Sequence, residues 1–153
     1  SLAQGWGAHE HADCDSSCTD CLRSYDNRFV HGQLNWRLAL DVADLCLGRP
    51  LSWGRWEKLA HDAAVHFSVA YRDALTDRGR PAVLEVSGLP VVTLRQDAVV
   101  LGHPLWRIDQ AGWNGTQSAV ADELASSGYR VHMHDARVAR ALPNSLFMHL
   151  VAR

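Results

Sequence analysis

From Gln33 onward, apolar residues recur at helical intervals. Leu34, Leu38, Val42 and Leu45, spaced by four, four and three, share one face of a helix that Gly48 and Pro50 bring to an end. Ser52 offers a cap for a second helix, with Trp56, Leu59, Ala63, Phe67, Ala70 and Ala74 as its apolar stripe and Arg78-Gly79-Arg80-Pro81 as its stop. Residues that favour strands then take over. Three short runs, 82–86, 91–94 and 98–101, are separated by Ser87-Gly88-Leu89-Pro90 and by Arg95-Gln96-Asp97, which predicts an antiparallel meander. Beyond Trp113-Asn114-Gly115, residues 116–127 suit a helix closed by Gly128, and Tyr129, Val131 and Met133 alternate as a further strand. The tail predicts a helix over 135–142, then Pro143 and a last apolar segment. Residues 1–32 carry neither period and read as a loop region. The fold class expected is α/β in the broad sense, an α+β chain. A loop and helix occupy 1–50, and a helix, three-stranded meander, helix and strand occupy 51–153, packed with the first part as one compact unit.

At 153 residues and 47% hydrophobic, the chain is long enough to bury one core. The formal net charge of −2 excludes a global basic field for nucleic acid and an acidic tail for a basic partner. Lys58 is the sole lysine among fifteen cationic residues. No apolar run approaches the roughly 20 residues that a bilayer crossing needs, and the opening Ser-Leu-Ala-Gln-Gly-Trp lacks the pattern of a secretory signal. The expectation is therefore a soluble, cytoplasmic protein without a membrane partner. The sequence also opens without methionine, so it reads as a piece of a longer chain.

Candidate chemistry concentrates in Cys14-Asp-Ser-Ser-Cys18-Thr-Asp-Cys21, three of the four cysteines within eight residues. Thiolates bind zinc strongly, and C-x3-C followed by C-x2-C lets one tight loop aim three sulfurs at one ion. A disulfide reading needs an oxidising compartment, and a redox C-x2-C reading of Cys18 and Cys21 needs a preceding apolar strand that is missing here. A fourth ligand must come from elsewhere. Cys46, one turn from Val42, reads first as a small buried hydrophobe and second as a ligand.

The run Cys14-x3-Cys18-x2-Cys21-Leu22-Arg23-Ser24-Tyr25-Asp26-Asn27, with His31, Leu34, Asn35-Trp36-Arg37-Leu38 and Asp41, resembles the cysteine-rich C-terminal domain of MrfA-like DEAD/DEAH-box helicases. The closest branch is the bacterial one that includes phage-defence (DISARM-type) helicases, and His103-Pro104-Leu105-Trp106 resembles a motif that follows the zinc region there. The similarity covers roughly residues 11–47 and that tetrapeptide. It implies a zinc-binding accessory domain of an ATP-dependent superfamily 2 helicase acting in DNA repair or phage defence, with the motor domains of the same parent protein and DNA as partners.

In members with four cysteines the last ligand falls where this chain has Asn27. The resemblance makes His31 the first choice for the fourth ligand of a Cys14, Cys18, Cys21, His31 site. His11 is the alternative through H-x2-C, and His9 and Cys46 follow. The family's usual aspartate before Trp-Arg is Asn35 here, which weakens any carboxylate role at that position; Asp26 offers an outer partner for the histidine instead. A Cys3His site is closed and therefore structural, and zinc binding worth about 10–16 kcal/mol decides whether such a loop is ordered. Arg23, Arg28 and Arg37 flank the loop as phosphate contacts, with solvated surface arginines as the equal alternative.

No G-x4-G-K-[ST] loop is present, so any motor lies outside this sequence. The order helix, three strands, helix, strand over 52–133 matches the core of the PD-(D/E)xK nucleases. The alternative function is accordingly a degenerate or metal-dependent nuclease. Such enzymes hold magnesium with carboxylates and a lysine on the second and third strands, yet 91–94 and 98–101 are apolar and Glu85 and Asp97 are the nearest acids. Convergence of those two carboxylates on one ion would support the nuclease, and wide separation would remove it. His103, His132 and His134 receive no chemistry. Trp53, Trp56, Trp106 and Trp113, beside Arg55 and Arg107, read as core packing before base stacking. No catalytic residue is expected.

Overall fold

A computed structural model describes residues 14–151. The chain divides after Arg55 into two compact units.

In the first unit, the cysteine loop leads into a 3-10 turn at Arg28–Gln33 and then into helix α1, Trp36–Cys46. Asn35 starts α1 by accepting hydrogen bonds from the backbone N–H groups of Arg37 and Leu38. Asparagine caps as well as aspartate does, so Asn35 serves this helix fully as a cap. The buried face corrects the one expected from periodicity: Trp36, Arg37, Leu40 and Asp41 are buried, whereas Val42 and Leu45 are exposed. Two charged residues complete the inward stripe. Asp41 is held by the Arg55 Nη1 at 2.6 Å, and Arg55 also bonds Asp44. Cys46, expected as a buried hydrophobe, is exposed at the end of α1.

The second unit is an α+β sheet domain. Helix α2, Glu57–Ala70, follows a 3-10 turn at Trp53–Arg55 and has Trp56 at its N-cap, so Ser52 precedes the turn and does not cap the helix. Leu59, Ala60, Ala63, Ala64 and Phe67 form its buried face, and the helix stops well before the expected Arg78. Ala70 and Ala74, placed on the stripe by spacing, are exposed.

Strands β1 (Ala82–Val86), β2 (Leu89–Leu94) and β3 (Asp97–Gly102) form the expected antiparallel meander. Ser87 and Gly88 both take positive φ in the first hairpin, the requirement of the tight turn that matches strand twist. Helix α3, Gly115–Ser126, opens with a capping box between Asn114 and Gln117. It carries the chain across to β4, Arg130–Asp135, which pairs parallel with β3 and gives the strand order β1-β2-β3-β4. Helices α4 (Ala136–Ala141, capped by Asp135) and α5 (Asn144–Val151) finish the unit.

Every residue of β2 is buried, as are Ala98–Gly102 of β3. Because successive side chains face opposite sides, helices cover both faces of the central strands. His103-Pro104-Leu105-Trp106 is a turn at the exit of β3. Leu105 N–H donates to His103 Nδ1 at 3.1 Å, Trp106 N–H donates to the His103 carbonyl at 2.9 Å, and the imidazole lies between the rings of Trp56 and Trp106. A Cβ at Gly102 would sit 3.0 Å from the Trp106 ring, so a larger residue there would make the ring give by a few tenths of an ångström. Among the described residues, no helix is long and apolar enough to cross a membrane.

Candidate metal centre

Three main-chain N–H groups, those of Cys21, Leu22 and Arg23, converge on the Cys18 carbonyl at 3.3, 3.2 and 2.9 Å and wind Cys18–Cys21 into a tight turn. The turn aims Cys21 Sγ back at its start, where it accepts from the Cys18 N–H at 3.1 Å and lies 3.7 Å from Cys18 Sγ. Cys14 joins them, and all three sulfurs lie within 4.8 Å of one another. Zinc–sulfur bonds of about 2.3 Å at tetrahedral angles require sulfurs roughly 3.8 Å apart. The C-x2-C pair already has that separation, and the donor set suits a thiophilic ion.

The electrostatics of the bare thiols point the same way. Burial, the hydrogen bond to Cys18 and the nearby charges of Cys21 and Cys18 push the Cys14 thiol up to about 11. Cys18 moves down: desolvation opposes its ionisation, but hydrogen bonds from the Asp20 N–H and from Cys21 and Cys14 outweigh it. Three thiolates this close repel one another, and a dication is the natural compensation.

What holds Cys14 in place is the head of α1. The Trp36 N–H donates to the Ser16 carbonyl at 2.8 Å, and Trp36 Nε1 donates to the Cys14 carbonyl at 2.9 Å. Arg37 Nη1 donates to the carbonyls of Cys14 and Asp15 at 2.7 and 3.1 Å, while its Nε donates to the Arg55 carbonyl at 2.7 Å. The guanidinium also stacks on the Trp36 ring at 4.4 Å. Arg37 is only 3% exposed. Arg37, expected as a phosphate contact, directs these donors to the backbone of the cysteine loop, where burial lowers its pKa against the opposing pull of Asp15.

His31, the expected fourth ligand, lies on the 3-10 turn with its Nε2 2.8 Å from Asn27 Oδ1 and 3.0 Å from the Ser24 carbonyl. Both neighbours are acceptors, so Nε2 carries the proton. Asn27 is the hub, for its Nδ2 donates to the Leu22 carbonyl at 2.7 Å and its Oδ1 accepts from the Ser24 N–H at 2.8 Å. The structure thus brings together Cys14, Cys18 and Cys21 and leaves His31 and Cys46 outside that group. His9 and His11 lie outside the described residues. Asp26, the expected outer partner, is exposed.

The other two flanking arginines differ from each other. Arg23 is half-buried and donates to Ser17 Oγ at 3.0 Å. Arg28 is exposed, with its guanidinium over the Tyr25 ring at 4.2 Å and over the Phe29 ring at 4.4 Å. Tyr25 and Phe29 are 77% and 83% exposed, and with Arg28 they form an exposed cationic and aromatic group just after the cysteines in sequence. Sequence reasoning passed over both aromatics, although their spacing around Arg28 was a usable signal.

Glu85 and Asp97 do not converge. Glu85 pairs with Pro90 and Asp97 with Leu94, so they sit toward opposite ends of β2, separated by four residues or roughly 13 Å of strand. Asp97 is instead engaged by Arg130 at 2.8 Å and His132 at 3.5 Å. Trp56 is wholly buried, as the packing reading expected, and Trp113 donates its Nε1 to the Ile108 carbonyl at 3.1 Å. No protein-family model, curated protein or solved structure matches the chain.

Proposed function

We propose that the chain is a zinc-organised accessory domain, the C-terminal part of an ATP-dependent superfamily 2 helicase of the kind that roughly residues 11–47 resemble. The zinc is structural. It fixes the loop that carries Tyr25, Arg28 and Phe29, and this patch contacts a single strand of DNA by stacking and charge. The parent's motor supplies ATP hydrolysis and translocation, and this segment braces it. The observation that carries the reading is the sulfur trio within 4.8 Å of one another, its first member gripped by Trp36 and Arg37.

The experiment is elemental analysis of the purified chain together with fluorescence anisotropy on a labelled single-stranded oligonucleotide. One zinc per chain and salt-sensitive binding that a chelator abolishes are expected. Absence of zinc sinks the metal reading, and zinc without strand binding sinks the nucleic-acid role.

The second reading is a degenerate PD-(D/E)xK scaffold. The order α2-β1-β2-β3-α3-β4 favours it, with three antiparallel strands and a fourth parallel to the third. It carries no magnesium-dependent cleavage here, because β2 offers no carboxylate and Glu85 stands far from Asp97.

A further inference from the structure

The second unit contains a cavity of about 620 Å3 at the end of the sheet where β3 and β4 begin. Its polar lining comes from five separate places. Arg78 stands on the 3-10 turn Thr76–Arg78, Arg95 at the tip of the β2–β3 hairpin, Arg130 and His132 on β4 and His149 on α5, with Asp97 opening β3. Three guanidiniums therefore face one carboxylate across a shared space. Arg130 already answers that carboxylate.

Each arginine is anchored by one hydrogen bond of its own. Arg78 Nη1 donates to the Val151 carbonyl at 2.9 Å, Arg95 Nη2 to the Asp77 carbonyl at 3.1 Å and Arg130 Nη2 to Asp97 Oδ2 at 2.8 Å. The other N–H donors of each fork are available to a ligand. Arg78 and Arg95 bond main-chain carbonyls, and among the described residues no carboxylate forms an ion pair with either. Arg95 also holds a φ of 54°, a left-handed conformation that this hairpin position normally gives to glycine.

We propose that this cavity binds a dianionic phosphate ester. Guanidiniums arriving from three directions suit the three peripheral oxygens of a phosphate monoester better than the two oxygens of a carboxylate. Leu94, Met148 and Leu150 supply an apolar wall for the organic group, and the volume falls within the range of small-molecule sites. A free nucleotide and the 5′-phosphorylated end of a strand share this chemistry. The site belongs to the second unit and does not depend on the metal centre or on the helicase reading.

The test uses the intact zinc-loaded chain and isothermal titration with four probes: adenosine 5′-monophosphate, adenosine, a 5′-phosphorylated octanucleotide and the same octanucleotide without that phosphate. Saturable binding of the phosphorylated probes and none of their unphosphorylated counterparts is expected. Arg78→Gln and Arg95→Gln should each weaken it about tenfold, the loss of one charge-assisted contact, with melting temperature and zinc content unchanged. Tighter binding of the mononucleotide identifies a free nucleotide as the ligand, and tighter binding of the octanucleotide identifies a strand end; both support the site. Binding that ignores the 5′-phosphate, no saturable binding of either phosphorylated probe, or full affinity in both arginine variants would overturn it.

Discussion

Replacing Arg37 by methionine separates the two roles that its position beside the cysteines allows. The guanidinium makes hydrogen bonds to the carbonyls of Cys14, Asp15 and Arg55 at 2.7, 3.1 and 2.7 Å. Charge-assisted bonds of this kind contribute about 1.5–3 kcal/mol each, so the gross loss is about 5–9 kcal/mol. Two terms reduce it: the variant no longer desolvates a guanidinium, and water reaches some of the freed carbonyls. A net cost of about 2–3 kcal/mol is the working figure, by analogy with other buried polar networks. Two of the three bonds position the first cysteine, so most of that cost should appear as weaker metal binding. At 1.4 kcal/mol per decade, zinc affinity should fall by roughly 30- to 150-fold. Competition with a chromophoric chelator measures the affinity, and circular dichroism confirms that the second unit still melts cooperatively. An Arg37→Met protein that binds zinc as the parent does, while losing affinity for DNA, would refute the argument and restore the phosphate contact.

Cys18→Ser and Cys21→Ser should each abolish stoichiometric zinc in elemental analysis, and the peptide segment around the loop should lose protection in hydrogen exchange. Arg28→Ala should weaken single-strand binding and lower the salt slope by about one contact, while Tyr25→Ala combined with Phe29→Ala weakens it without changing that slope; anisotropy over a salt series reads both. Acidification should destabilise the second unit. The pKa of His134 is lowered by burial and then by His149, against an opposing pull from Asp135, and that of His149 is lowered by burial and then by His132. The unfolded chain therefore binds more protons as pH falls from the ordinary value of 6.5 toward the folded values, so stability is full above 6.5 and is lost below it. The melting temperature should drop between pH 7.5 and pH 5.5, and His149→Asn should flatten that drop.

The strands were legible because runs of valine, leucine and alanine lie between residues with turn chemistry, and the structure puts β1, β2 and β3 within two residues of where those runs stand. The parallel pairing of β4 was not, since alternation along one strand says nothing about the direction of its neighbour. Helix α1 shows a deeper reason for error. Its inward stripe contains Arg37 and Asp41, and a hydrophobic count assigns both to solvent. Helix α2 was drawn too long because Ala70 and Ala74 fit a stripe at no cost, and alanine carries too little apolar surface to say whether it is buried. At the metal centre, the three thiols were evident from spacing alone. The grip on Cys14 was not, because its acceptors are carbonyl oxygens that no sequence displays. The arginines of the cavity come from positions 78, 95 and 130, and no local pattern links them.

That grip has a consequence for how freely the loop can drift. Trp36 and Arg37 take hold of oxygens that all twenty amino acids share, at Cys14, Asp15 and Ser16. Position 16 is thus open to wide variation, and position 15 is constrained mainly by the charge it offers Arg37. A saturation library across these two positions should return many functional members, whereas one across 36 and 37 should return few, so mutational tolerance would map the anchor more sharply than side-chain contacts do.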